Sequence, residues 1–220
     1  MILSGISNTT RFLILICIIF LEIAAPPFLD LFSDSNIYFD ILNTTILISI
    51  VFALNRNKRY VITSAILVLP LILSIWLSRV TAIGGLEPVG LFFGILFFMY
   101  TAIHILKFIL SREYVSLEVI LGSIAVYLMM GIIWTICYGI LETIHPGSFN
   151  FGPHAESIDK YTFIYFSFVT LTTLGYGDIS PATSIAQSLT IVEALIGQIY
   201  LVVVIAWLVG MFISEKSIKK

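Results

Sequence analysis

A membrane span needs about 20 largely apolar residues in a row, and this 220-residue chain offers six such stretches: 12–31, 37–54, 60–77, 88–110, 117–141 and 183–213. Hydrocarbon offers no partner to a peptide N–H or C=O. Each stretch must satisfy its own backbone, and only a helix does so without a neighbouring strand. The expected fold is an all-α integral membrane protein with six transmembrane helices. Composition excludes a soluble domain, because 59% of residues are hydrophobic and only 11% charged. Cys17 and Cys137 both fall inside apolar runs, where a free thiol packs as a small hydrophobe, so no disulfide framework and no metal or redox site is expected.

Lysines and arginines set the direction of threading. With the N-terminus cytoplasmic, the inner side receives Arg11, Arg56, Lys58, Arg59, Lys107, Arg112, Lys216, Lys219 and Lys220, nine of the eleven basic residues. Only Arg79 and Lys160 then face outward. Both termini are cytoplasmic in this multi-pass arrangement. The first stretch carries Glu22 and runs into Pro26-Pro27, and an N-terminal apolar run of this length can also be a cleaved secretory signal. A single Arg11 in front, an acid within and no small-x-small pattern before the prolines favour a retained helix.

Between the fifth and sixth stretches the chain turns polar. Glu142 to Ile158 holds Pro146, Gly147, Gly152 and Pro153 among His145, Asn150 and His154, which predicts an exposed outer loop. The two histidines stand nine residues apart without cysteine partners, a solvated pair rather than a metal site. Asp159 can cap a helix over 160–172 that is rich in aromatic residues and too short to cross a bilayer. A short apolar helix followed by extended backbone is tolerated at membrane depth only when it is buried in protein or lines water. The expectation is a re-entrant pore helix whose partial negative C-terminus points at an ion path.

The run from Thr170 to Pro181, TLTTLGYGDISP, follows that helix. Within Thr173-Leu174-Gly175-Tyr176-Gly177, the glycines can take positive φ, which a side chain resists. Successive carbonyls can therefore turn to one side of an extended strand. Such a ladder of oxygens replaces the hydration shell of a potassium ion, placing K+ at Thr173, Leu174, Gly175 and Tyr176, with the Thr173 hydroxyl as one more oxygen below. One strand cannot encircle an ion, and the chain holds one copy. Four chains around an axis are required, so the expected partners are further copies of the same chain in a homotetrameric pore, together with K+ and membrane lipid.

Thr-x-x-Thr-x-Gly-Tyr-Gly-Asp, from Thr170 to Asp178, resembles the signature of the tetrameric potassium channels of prokaryotic type. The resemblance implies a four-helix N-terminal membrane domain over 1–113 and a pore domain over 114–220, the latter made of outer helix, turret, pore helix, selectivity filter and inner helix. It implies passive, potassium-selective conduction in a bacterial inner membrane, with no cofactor beyond the permeant K+ and no nucleic-acid partner. Thr170, Thr172, Asp178 and Tyr165 are expected to support the filter, with the Tyr165 hydroxyl reaching Asp178 from a position where relatives often carry tryptophan. The family carries a glycine nineteen residues beyond the filter aspartate, here Gly197, where the inner helix can bend; close helix packing is the other role such a glycine takes. Below it Leu201, Ile205, Val209 and Ile213, near helical spacing, are expected to line the inner path, where an apolar ring closes a pore by dewetting. On another face the same stripe would be packing.

The chain departs from the family in two further places. Six-span relatives carry arginines every third residue in the fourth span, whereas 88–110 holds only His104 and Lys107. A charge crossing the field yields about 2.3 kcal/mol per 100 mV, so one terminal lysine per subunit predicts no strong voltage gating. Val169 stands where some relatives place a glutamate that pairs with the filter aspartate. Two acids also lie within spans, where a bare charge is expensive. Glu22 either pairs with Arg79 or is protonated. Glu193 either faces the cavity, where four carboxylates would concentrate cations, or faces the pore helix and braces the filter through Ser167 or Thr170; mutual repulsion of four facing carboxylates favours the brace. A weakly selective cation channel and a non-conducting regulatory subunit are the alternative functions, and the intact Gly-Tyr-Gly weighs against the first. An enzyme is not expected, since the sequence holds no metal-spaced His/Glu set, no Ser/His pair and no paired carboxylates.

Overall fold

A computed structural model describes residues 7–25, 28, 35–53, 58–80, 86–151 and 161–218. Pro26-Pro27, Arg56, His154, the Asp159 cap, Lys160, Lys219 and Lys220 lie outside the described residues, as does the side chain of Arg79 and with it the pairing expected for Glu22. Among the described residues the element order is α1 (Asn8–Ala24), α2 (Ser35–Ala53), α3 (Lys58–Val80), α4 (Leu86–Leu110), α5 (Leu117–Ile144), β1 (Phe149–Phe151), α6 (Thr162–Leu171), β2 (Ile179–Pro181) and α7 (Ser184–Ile218).

The fold is helical, as hydrocarbon demands of long apolar runs. Among the described residues four helices are long and apolar enough to cross a membrane: Lys58–Ser78 in α3, Pro88–Leu110 in α4, Leu117–Ile144 in α5 and Ser184–Ser214 in α7. With 17 residues α1 is shorter, and so is the apolar part of α2, Ile37–Phe52. Ten-residue α6 rises about 15 Å, half of a hydrocarbon core of about 30 Å.

The chain forms two compact units, Met1–Leu128 and Met129–Lys220, and α5 begins in the first and ends in the second. In the first unit Ser7 caps α1, its hydroxyl accepting the Thr10 N–H at 3.2 Å. Leu15, Ile19, Ile46, Ile50, Phe97, Ile105, Ile109 and Val119 are fully buried there. Polar residues within the helices return their hydrogen to the preceding turn, as Thr101 does to the Phe97 carbonyl (2.8 Å) and Ser123 to that of Val119 (2.8 Å), which lets them sit in an apolar interior. Helix α4 contains no arginine. Its His104 ring lies between Tyr60 and Tyr100, at centroid distances of 4.1 and 4.3 Å.

The second unit departs from the expected exposed turret at Ser148 and Phe149, whereas 143–147 and Asn150 are exposed and 152–158 lie outside the described residues. Helix α5 continues past Leu141 to Ile144 and stops at His145-Pro146-Gly147, where Gly147 takes φ +85° and donates its N–H to Glu142 Oε1 at 2.7 Å. Immediately afterwards Ser148 and Phe149 are buried rather than exposed. Residues 149–151 pair antiparallel with 179–181 in the register Phe149↔Pro181, Asn150↔Ser180 and Phe151↔Ile179. The Ser148 carbonyl extends the ribbon by accepting the Ala182 N–H at 2.8 Å. The physical reason is the Phe-Asn-Phe alternation: two rings fall on one side of the strand and the amide on the other, but three residues are too few to register against flanking turn formers.

Phe149 is the centre of an aromatic cluster. Its ring lies 5.3 Å from Tyr138, 5.2 Å from Phe163 and 5.3 Å from Phe166, each edge-on, and Leu141 and Ala186 close the cluster. Edge-to-face pairs contribute about 0.5–1.5 kcal/mol each beyond burial. The ribbon is thereby fastened to α5, α6 and the start of α7. Phe149→Ala is expected to cost about 3–5 kcal/mol, read as a lowered midpoint of thermal unfolding in detergent. An unchanged midpoint would show that the ribbon is not anchored by this ring.

Candidate functional site

The loop from Thr172 to Asp178 is held from the end of α6. An α-helix leaves its last carbonyls without intrahelical donors, and here the loop supplies them. Thr172 N–H donates to Phe168 O (3.1 Å), Thr173 N–H to Thr170 O (2.9 Å), and the N–H groups of Leu174 and Gly175 both to Val169 O (2.9 and 3.3 Å). The Thr172 hydroxyl also donates to Phe168 O, at 2.6 Å. The sign of φ alternates along the loop: positive at Thr173 (59°), Gly175 (56°) and Gly177 (80°), and not at the residues between. In an ordinary strand successive carbonyls point to opposite sides. Reversing φ at every second residue undoes that alternation and lets consecutive carbonyls share a side. Among the described residues no hydrogen-bond donor reaches the carbonyls of 173–177.

Sequence reasoning assigns positive φ to the two glycines but misses Thr173. A non-glycine residue held there costs on the order of 1–3 kcal/mol and persists only when its surroundings over-determine it. Here the bond to Thr170 O fixes the Thr173 N–H. The one available signal is the spacing, since Thr173 continues the two-residue step of Gly177 and Gly175.

The outer end of the loop is fastened by Asp178. Tyr165 donates its hydroxyl to Asp178 Oδ2 at 2.6 Å, and the Ile179 N–H donates to Oδ1 at 3.1 Å. The hydrogen bond to Asp178, with burial second, pushes the Tyr165 phenol up to about 12. It therefore remains a neutral donor throughout the physiological range, and the bond is lost only as pH rises through that raised value. Ile179 then starts the strand paired with 149–151, so loop and ribbon are continuous.

Behind the loop lies Glu193 of α7, fully buried. Its Oε2 accepts the Tyr138 hydroxyl of α5, and its Oε1 lies 2.6 Å from Ser167 Oγ of α6. Ser167 Oγ also lies 2.8 Å from the Gly131 carbonyl. One acid thus joins three helices. Tyr138 is absent from the sequence reading, which names only Ser167 and Thr170 as partners; a tyrosine among apolar residues of a span carries no signal of its own beyond the need for its hydroxyl to find a partner. The helices approach so closely that only glycine fits at two contacts. A Cβ on Gly131 would lie 2.6 Å from the Phe168 ring, and one on Gly197 would lie 2.8 Å from Leu171 Cδ1 and 2.9 Å from the Leu171 carbonyl oxygen. Helix α7 runs unbroken through Gly197.

Farther along α7, Leu201 is half-buried, whereas Ile205, Val209 and Ile213 are exposed on the single chain. So are Ile191, Leu195, Ile199 and Val202. A long apolar helix is therefore left largely uncovered by its own chain.

Residues 147–214 match the family model described as an ion channel. A 60-residue stretch is 40% identical to a protein of Methanocaldococcus jannaschii named probable potassium channel protein 2; that stretch is 27% of this chain and 17% of that relative. No solved structure matches the chain. Both matches bear out the resemblance carried by 170–178. The segment that holds the loop, 147–214, is thus similar to an ion channel domain, in a chain whose described residues include four helices long and apolar enough to cross a membrane.

Proposed function

We propose that four copies of the chain surround a common axis and conduct potassium selectively and passively, with the carbonyls of Thr173, Leu174, Gly175, Tyr176 and Gly177 as the selectivity filter. The alternating φ of 173–177 carries this reading. It provides a run of oxygens free to share one side, while the N–H groups at the start of the run are already bonded to α6. Potassium gives up its water only where oxygens of suitable number and field replace it, and one such strand supplies a quarter of a ring. The uncovered apolar length of α7 supports the same assembly, since a tetramer provides the neighbours it lacks. The relative's name, a potassium channel, agrees with the choice of ion.

In this proposal all six apolar stretches cross the membrane, 1–113 form the N-terminal domain, and 114–220 form the pore domain, in which α6 is re-entrant. The termini are cytoplasmic, in a bacterial inner membrane, by the distribution of basic residues. Asp178 then lies at the outer mouth, held by Tyr165, with Thr170 and Thr172 supporting the loop from α6. Leu201, Ile205, Val209 and Ile213 line the inner half of the path and close it by dewetting. Gly197 permits α7 to bend below its contact with Leu171.

Replacing Gly175 or Gly177 by alanine places a side chain at φ +56° or +80°, at about 1–2 kcal/mol in each of four subunits. Potassium flux into liposomes should be abolished while membrane insertion persists. Normal flux from either variant would remove the filter assignment.

Gly197→Ala brings a Cβ against a backbone oxygen of α6, whereas at Gly210 nothing lies within 4 Å. Flux should fall for Gly197→Ala and stay close to wild type for Gly210→Ala. Equal effects would mean that helix flexibility, common to both sites, outweighs the contact with Leu171.

With Lys107 the sole Lys or Arg of α4, open probability should vary weakly with voltage. A steepness near the roughly 3–4 gating charges per subunit of an arginine-rich sensor would refute this reading of the first unit.

A further inference from the structure

The oxygens around Glu193 do not balance unless its carboxyl group carries a hydrogen. Three contacts are involved: Ser167 Oγ to the Gly131 carbonyl at 2.8 Å, Ser167 Oγ to Glu193 Oε1 at 2.6 Å, and Tyr138 Oη to Glu193 Oε2. Oxygens this close are hydrogen-bonded, and each bond holds one hydrogen. Ser167 supplies one and Tyr138 one, while a carbonyl supplies none. The neighbouring hydroxyls do not supply it, because Thr135 gives its one hydrogen to the Gly131 carbonyl at 2.9 Å, the Phe163 carbonyl at 3.3 Å lying beyond a normal O–H···O bond, and Thr190 donates to the carbonyl of Ala186 (2.8 Å). Two hydrogens cannot make three bonds.

We infer that Glu193 is a neutral carboxylic acid that donates from Oε1 to Ser167. Ser167 then donates to the Gly131 carbonyl, and Tyr138 donates to Oε2. All three contacts are satisfied, in a directed chain from α7 through α6 to α5. The surroundings agree, for Glu193 is fully buried and no Lys, Arg or His occurs in α5, in α6 or in 184–214. Among the described residues the titratable groups facing it are Tyr138 and Cys137, both on α5; α6 contributes the serine and no charge. Among the described residues a carboxylate here would be buried without a counter-ion, a state that costs several kcal/mol. It would also take the Ser167 hydrogen and leave the serine and Gly131 oxygens facing each other with none between. Glu193 is thus a positioning residue for the wall that carries the loop, and the proton is the part that bonds α6 to both neighbours at once. The consequence for conduction rests on the channel reading above, but the protonation does not.

The test is the infrared spectrum of the full chain, purified at neutral pH. Wild type should show the carbonyl stretch of a neutral carboxylic acid that Glu193→Gln lacks, with any contribution from Glu22 common to both. Ser167→Ala removes the acid's acceptor and should shift that band. Glu193→Gln should keep the wild-type unfolding midpoint, because an amide also donates toward Ser167 and accepts from Tyr138, whereas the shorter Glu193→Asp should lower it. No band lost in the glutamine variant, or a band unmoved by Ser167→Ala, would overturn the inference. So would a glutamine variant less stable than the aspartate one, which would show that the site requires an anion. A band present in protein that carries no potassium flux would uphold the proton and overturn only the channel reading.

Discussion

An extended backbone without strand partners and shielded from water is stable only if something else takes its N–H groups. Here that something is the C-terminus of α6, whose carbonyls of Phe168, Val169 and Thr170 accept the donors of residues 172–175. The bonds are mutual in effect, since a helix end and a non-helical loop each remove the other's orphaned groups. They leave the loop's own carbonyls out of the accounting, available to a ligand that wants oxygens and nothing else. Every other feature of the second unit follows from the need to hold α6 still.

Three sides of α6 are held by different chemistry. Phe163 and Phe166 pack into the cluster around Phe149, which is apolar and edge-on. Ser167 enters the hydrogen-bond chain through Glu193 to Tyr138. Phe168 and Leu171 lie against glycines of α5 and α7 at distances no side chain permits. Aromatic packing is strong but tolerant of small rotations, whereas a buried hydrogen-bond network accepts one geometry. The strain at Thr173, of order 1–3 kcal/mol, is compatible with a stable fold because its N–H bond and the flanking anchors leave the residue no cheaper conformation.

Much of this was legible in the sequence because lipid makes hydropathy a strong constraint. The spans over 88–110 and 117–141 appear as helices within a few residues of the expected limits, and the short helix before the loop is found at 162–171. The β ribbon was not legible, since a three-residue strand is decided by a partner thirty residues away and Phe149 looks like any residue of a polar turn-rich segment. Thr173 was not legible either: its φ is imposed by α6, and threonine itself prefers extended backbone. Glu193 was visible as an acid in the wrong solvent, but its partners were only half visible. Ser167 lies on the helix that any brace must touch, while Tyr138 lies 55 residues away on a largely apolar helix.

That asymmetry bears on why the chain keeps an acid behind the loop at all. Replacing a buried polar network by well-packed apolar residues is often neutral or stabilising in itself, so the network is not there for stability alone. An apolar wall could slide along α6 by a fraction of a turn without losing much contact. The chain from Glu193 through Ser167 to Gly131 has no such freedom, because each hydroxyl has one hydrogen and one direction in which to give it. Four residues beyond Ser167, Leu171 closes the helix, and the next residues carry the alternating backbone. A displacement of α6 that breaks the bond at Ser167 therefore moves the carbonyls of 168–170, on which the loop's N–H groups depend. The buried acid acts on the loop at a distance of one helical turn, by setting where that turn ends.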